Sequence, residues 1–135
     1  MLVDANIFLE VALGQDKADE CQKFLDKIFE GKLEAFTTDF IIDSVIIVME
    51  FKGATRKQMK EFLINLLASK GLTIFSLDFM DKIVAIELSK DLGIDFEDSL
   101  ILVAMKALKI KNLVSFDSDF DKIAWVKRGT PDKFL

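Results

Sequence analysis

The sequence predicts an α/β fold, a three-layer sandwich of helices around a mostly parallel sheet of four to five strands. Three observations predict it. Short apolar runs (LV at 2–3, LEAF at 33–36, LTIF at 72–75, NLVS at 112–115) recur between longer stretches whose apolar residues repeat every three or four positions. These runs are nearly continuous rather than alternating, as strands covered by helices on both faces are. The 135 residues include one Pro and six Gly, with 51% hydrophobic and 30% charged residues. One domain over residues 1–135 is therefore expected, with a full core and no need of disulfides.

Each element follows from local signals. Leu2–Val3 is the first strand. Ala18–Glu30 carries Cys21, Phe24, Leu25 and Ile28 at helical spacing, and Gly31 closes it. Leu33–Thr37 is the second strand, and Thr38 is placed to cap a helix from Asp39 to about Lys52 that Gly53 ends. That helix, FIIDSVIIVMEF at its heart, is apolar on all sides and is expected to be largely buried. Arg56–Lys70 sets Met59, Phe62, Leu63, Leu66 and Leu67 on one face, with Gly71 past its end. Leu72–Ser76 is the third strand, followed by helices Phe79–Leu92, stopping at Gly93, and Phe96–Lys109. Asn112–Ser115 is the fourth strand and Ile123–Val126 a short fifth.

Composition narrows the function classes. The single Cys21 has no intramolecular partner and reads as a small apolar helix residue in a reducing compartment. Asp4 and Glu10 interrupt the N-terminal apolar run, so a signal peptide is not expected, and no run approaches the ~18 apolar residues of a membrane span. The expectation is a soluble, cytoplasmic protein without membrane contact. Net charge is −5, but its distribution is uneven. Bases outnumber acids only in residues 51–70 (5 against 1) and 105–135 (7 against 4), around Lys52, Arg56, Lys57 and Lys60, and around Lys106–Lys111 with Lys127 and Arg128. Either segment is read first as a solvated face, and second as a contact for a polyanion.

Four acids occupy apolar settings. Asp4 follows LV, Asp43 interrupts FIIDSVIIVMEF, Asp98 opens DSLILVAMKAL, and Asp117 follows NLVSF. Bland readings exist for three of them. Asp4 can cap a following helix, as can Asn6; Asp98 can answer a helix dipole three residues after Asp95; Asp117 can start a turn or cap a helix at Asp119 and Phe120. Mid-helix Asp43 has no such explanation. In an open parallel sheet, ligands bind beyond the carboxyl ends of the strands, and Asp4 and Asp117 fall there. Carboxylates gathered at that edge would repel one another unless a cation intervened. A hard divalent ion with oxygen ligands, Mg²⁺ or Mn²⁺, suits such a set. The absence of His disfavours zinc and removes the commonest general base. The combination points to metal-assisted phosphodiester hydrolysis.

Read in order, these segments resemble the PIN domain family, in particular the small single-domain kind found in VapC-type toxins. LVDANIFLE is similar to the family's first strand with its first metal-binding Asp, here Asp4, and a nearby small polar residue, here Asn6. TTDFIIDSVIIVME resembles the segment bearing the second acid, which falls on Asp43 where the family usually has Glu. FEDSLILVAMKALKIKNLVSFDSDF matches the third acid at Asp98 and the closing S-x-D-x-D-F pattern at Ser115, Asp117, Asp119 and Phe120. The resemblance implies an Mg²⁺- or Mn²⁺-dependent ribonuclease, frequent homodimers and, in the toxin branch, an antitoxin protein that occludes the site. In that reading Asp4, Asp98 and Asp117 hold metal, Asp43 binds or orients a metal-bound water, and Asn6, Ser115 and Asp119 assist.

The leading expectation is thus an endoribonuclease of single-stranded RNA whose backbone meets the two basic segments. The alternative is a degenerate PIN-like module that binds RNA or protein without cleaving, motivated by the shortened second acid. A phosphotransfer protein with Asp4 as nucleophile is disfavoured because no Lys follows NLVSFD at the strand end. DSDFD fails as a calcium loop: Lys122 replaces the turn Gly, and Arg128 stands where a bidentate Glu belongs.

Overall fold

The shortest strand of the chain lies at the centre of its sheet. In the computed structural model, which describes residues 1–135, β1 (Leu2–Val3) runs between β2 (Ala35–Thr38) and β4 (Asn112–Val114). β3 (Leu72–Phe75) and β5 (Lys127–Gly129) form the edges, giving the order β3-β2-β1-β4-β5 with every pair parallel. Leu2 registers with Phe36 on one side and Leu113 on the other, and Val3 with Val114. Leu2, Val3, Leu113 and Val114 are fully buried. Burying side chains of this size stabilises the fold by roughly 1.5–3 kcal/mol each. The chain builds outward from β1 to β3, then crosses back to β4, so the strand order reverses between β1 and β4. That reversal opens a crevice at the carboxyl ends of these two strands.

Six helices cover the sheet: α1 (Ala5–Ala12), α2 (Ala18–Phe29), α3 (Asp39–Phe51), α4 (Arg56–Ala68), α5 (Phe79–Leu92) and α6 (Phe96–Leu108). α1 to α4 pack on one another, and α5 lies along α6. Thr38 caps α3 as expected, its hydroxyl accepting from the Ile41 N–H at 3.0 Å. Gly71 lets β3 start against the end of α2. A Cβ there would fall 2.2 Å from the Leu33 carbonyl oxygen, so no other residue fits without moving backbone.

Three expectations need correction. The fifth strand is not Ile123–Val126, which forms a turn, but Lys127–Gly129. Ile123 instead buries itself behind a 3-10 helix at Ser118–Lys122, and the edge strand carries charged residues because solvent reaches it. α1 was absent from the expected elements. It begins one residue after β1, so ANIFLEVA reads as an apolar continuation although Ile7, Phe8 and Val11 have helical spacing. Finally, α3 is not buried all round: Ile47 is 66% exposed and Phe51 85%.

Candidate functional site

Asp4 ends β1 and caps α1 with the same side chain. Its Oδ1 accepts from the Ala5 N–H at 2.7 Å, and its backbone N–H donates to Val114 at 3.0 Å, so the carboxylate stands at the β1–β4 crevice. Oδ2 accepts from the Ser115 hydroxyl at 2.7 Å and, more weakly, from Asn6 Nδ2 at 3.4 Å. Asn6 also donates to Ser115 Oγ at 3.1 Å and accepts from the Phe116 N–H at 3.2 Å. Ser115 Oγ in turn accepts from the Asp117 N–H at 3.0 Å. One hydroxyl and one amide therefore fix Asp4 against the end of β4 and set where Asp117 emerges. Asp117 Oδ1 accepts from the Asp119 N–H at 2.9 Å and starts the 3-10 helix, so Asp119 lies just outside the crevice.

Asp98 arrives from the opposite side. Asp95, not Asp98, caps α6, accepting from the Asp98 N–H at 2.8 Å. This leaves the Asp98 carboxylate in the first turn and half-buried. Asp4 and Asp98 both line a cavity of about 40 Å³, into which Ser44 of α3 and Glu97 of α6 also project.

The electrostatics follow from this packing. Burial raises the Asp4 carboxyl above its ordinary range, against the lowering effect of the Ser115 and Ala5 donors, and the charges of Asp117 and Glu97 raise it further. Burial, with Asp95, Asp117, Asp4 and Asp119 behind it, pushes Asp98 up to about 7. Asp4, Asp98, Asp117 and Asp119 thus form one electrostatic group.

Asp43 lies elsewhere. It is exposed and lines a separate depression with Asp39, Phe40, Leu77 and Lys82. At 3.6 residues per turn it points about 100° round α3 from Ser44, which is the residue that reaches the Asp4–Asp98 cavity. Ser44 and Glu97 were not singled out from the sequence. Counting helical turns from the Thr38 cap, where buried Ile41 marks the inner face, would have found Ser44.

Arg128 also behaves unlike the solvated cation expected of its segment. It forms a two-pronged pair with Asp121 at 2.7 and 2.8 Å, and donates to the Ser115 carbonyl at 3.1 Å. It therefore braces the strand end beneath Asp117.

No three acidic or thiol side chains converge closely enough to enclose an ion unaided. The donor set nevertheless fits a hard divalent cation. It is all oxygen, it repels itself when empty, and Mg²⁺ is commonly held by one or two carboxylates with waters and phosphate completing its shell. Asp4 and Asp98 on one cavity meet that requirement, with Asp117 within electrostatic reach.

The fold has solved counterparts. VapC20 of Mycobacterium tuberculosis, a sarcin–ricin loop cleaving toxin, superposes with a TM-score of 0.75 at 14% identity, covering 93% of this chain and 95% of that one. VapBC2 from Rickettsia felis, solved bound to a promoter DNA fragment, gives 0.69 at 17% identity over 96% of both chains. A toxin–antitoxin complex from Klebsiella pneumoniae gives 0.68 at 16% identity over 96% of both. No curated protein matches the chain. The sequence model of the PIN domain matches residues 1–126, and with the crevice acids in place the chain belongs to the PIN domain family.

Proposed function

We propose that this chain is a cytoplasmic endoribonuclease that hydrolyses phosphodiester bonds of single-stranded RNA with Mg²⁺ or Mn²⁺, and that it is the toxin of a toxin–antitoxin pair. The observation that carries the reading is the meeting of Asp4 and Asp98, from β1 and α6, on one cavity at the strand-order reversal. Asp4, Asp98 and Asp117 would hold the cation, which when bound supplies charge neutralisation to a scissile phosphate and acidity to a water. Ser115 and Asn6 keep Asp4 rigid, and a fixed ligand costs no reorganisation during reaction. Asp119 adds negative charge at the rim. Exposed Lys52, Arg56 and Lys60, with Lys109 and Lys111, are free for RNA phosphates, whereas Lys57 sits 4.0 Å from Glu61, Lys106 lies over the Trp125 ring and Arg128 is bound to Asp121.

Two surfaces support the protein partners. Between α1, α2 and α4 an apolar groove of about 220 Å³, with Phe8, Leu25, Met49 and Phe62 in its walls, has the character of a seat for an amphipathic segment of an antitoxin. Phe8 lies one helical turn from Asp4, so an occupant would border the crevice. On the outside of α5, Phe79, Met80, Ile83 and Ile86 each expose more than half their surface, a patch suited to a second copy of the chain.

The test is cleavage of a mixed-sequence single-stranded RNA in Mg²⁺, Mn²⁺ or EDTA. Cleavage that requires metal and falls by more than about 100-fold in Asp4→Asn and Asp98→Asn is expected. Folded wild-type protein that stays inert at high concentration would contradict it. The outward position of Asp43 favours a second reading, a PIN module that binds without cleaving. In that case Mg²⁺ would leave the melting temperature unchanged.

A further inference from the structure

The cavity shared by Asp4 and Asp98 has one wall that the sequence pattern does not anticipate. α3 lends it the Ser44 hydroxyl and no charge, because Asp43 faces the neighbouring depression beside Lys82. α6 lends it two consecutive acids, Glu97 and Asp98. Both lie on the side of α6 that lines the cavity, which Leu100 and Ile101 continue at helical spacing. Glu97 is otherwise exposed, and no ion pair engages it. Its charge also bears on buried Asp4 across the cavity.

We infer that Glu97 supplies the second carboxylate of the metal centre, in the place that the family pattern assigns to the acid of α3 at Asp43. This rests on the reading of the crevice as a divalent-cation site and adds a residue to it. The side chain has one methylene more than Asp98, which lets a residue at the mouth reach toward a cation held by Asp4 and Asp98. Ser44 leaves room on the α3 wall, where a longer acid would compete for the same space. The ordinary alternative is that Glu97 only answers the α6 dipole, as first-turn acids do. A dipole acid needs charge alone; a metal-directed acid needs charge and reach.

The experiment is Mn²⁺ titration of the full chain, followed calorimetrically and by the electron spin resonance of free Mn²⁺, with melting curves confirming that each variant is folded. Glu97→Gln is expected to weaken Mn²⁺ binding about 10- to 100-fold, the range seen when a group supporting a metal site is removed. Glu97→Asp, which keeps the charge and loses reach, is expected to weaken it by a substantial part of that factor. Asp43→Asn is expected to stay within about twofold of wild type, as a surface change away from the site should. Wild-type affinity in Glu97→Gln or Glu97→Asp, or a loss confined to Asp43→Asn, overturns the inference and leaves the crevice reading standing. A wild-type chain that takes up no Mn²⁺ overturns both.

Discussion

Helices α3 and α6 are close to interchangeable as sequences. Each has thirteen residues, each is strongly apolar, and each carries an acid in its first turn or two. Their surroundings differ. α6 is buried at seven consecutive residues, Ser99–Met105, with α5 packed along it. α3 buries Ile41, Ile42, Val45 and Met49 and leaves Ile47 and Phe51 in solvent. Asp98 therefore points into the crevice, and Asp43 points away from it. An acid inside an apolar run signals function only when the layer around the helix turns it inward. Composition does not report that layer.

Substitutions can break or sharpen this contrast. The largest effect on stability should come from the cores of the two helices. Leu102→Ala in α6 is expected to cost about 2–5 kcal/mol, while Ile47→Ala on the outer face of α3 should stay within about 0.5 kcal/mol. Urea denaturation of both variants measures the difference, and equal losses would show that α3 is covered in solution.

Next comes pH. Burial, with the neighbouring acids behind it, pushes folded Asp98 up to about 7 from an ordinary value of 3.8. Between those values the folded state holds a proton that the unfolded state lacks. This contribution to stability is full below about pH 4 and is lost as pH rises to about 7. Since Asp98 is half exposed, solvent screening reduces the effect to the order of 1 kcal/mol, or roughly 3–5 °C. In metal-free protein, Asp98→Asn should melt higher than wild type at pH 8 and alike at pH 4. Asp43→Asn should track wild type at both, and Mg²⁺ should close the gap at pH 8 by stabilising wild type.

The smallest effect concerns the exposed apolar faces. Phe79→Asp is expected to shift the chain from dimer to monomer in sedimentation while leaving the monomer's Mn²⁺ affinity within about twofold of wild type. A wild-type chain that sediments as a monomer at all concentrations would remove the dimer from the account.

Much of the fold was legible because buried parallel strands and amphipathic helices leave distinct periods. LTIF is a strand in full, NLVS is one up to Val114, and the strand expected at LEAF starts two residues later, at Ala35; Thr38 and Gly93 cap the helices they were placed beside. What was not legible had local causes. Asp4 serves a strand and a helix at once, so the junction hid α1. β5 is an edge strand with the sequence KRG and no apolar signature. Of the acids, the placement of Asp4 at a strand end, of Asp98 in the first turn of a helix and of Asp117 just beyond a strand was readable. The direction of Asp43 depends on a 100° rotation about α3, and the place of Glu97 on how α6 meets the cavity. Both are tertiary facts.

The most direct test of the account sets the two helices against each other in one assay. Asp98→Asn and Asp43→Asn would be compared with wild type for Mn²⁺-dependent cleavage of single-stranded RNA at equal, confirmed folded concentrations. The account predicts a loss above about 100-fold for Asp98→Asn and less than about threefold for Asp43→Asn. Equal losses in both variants would place the α3 acid in the reaction and contradict the geometry of the crevice described above.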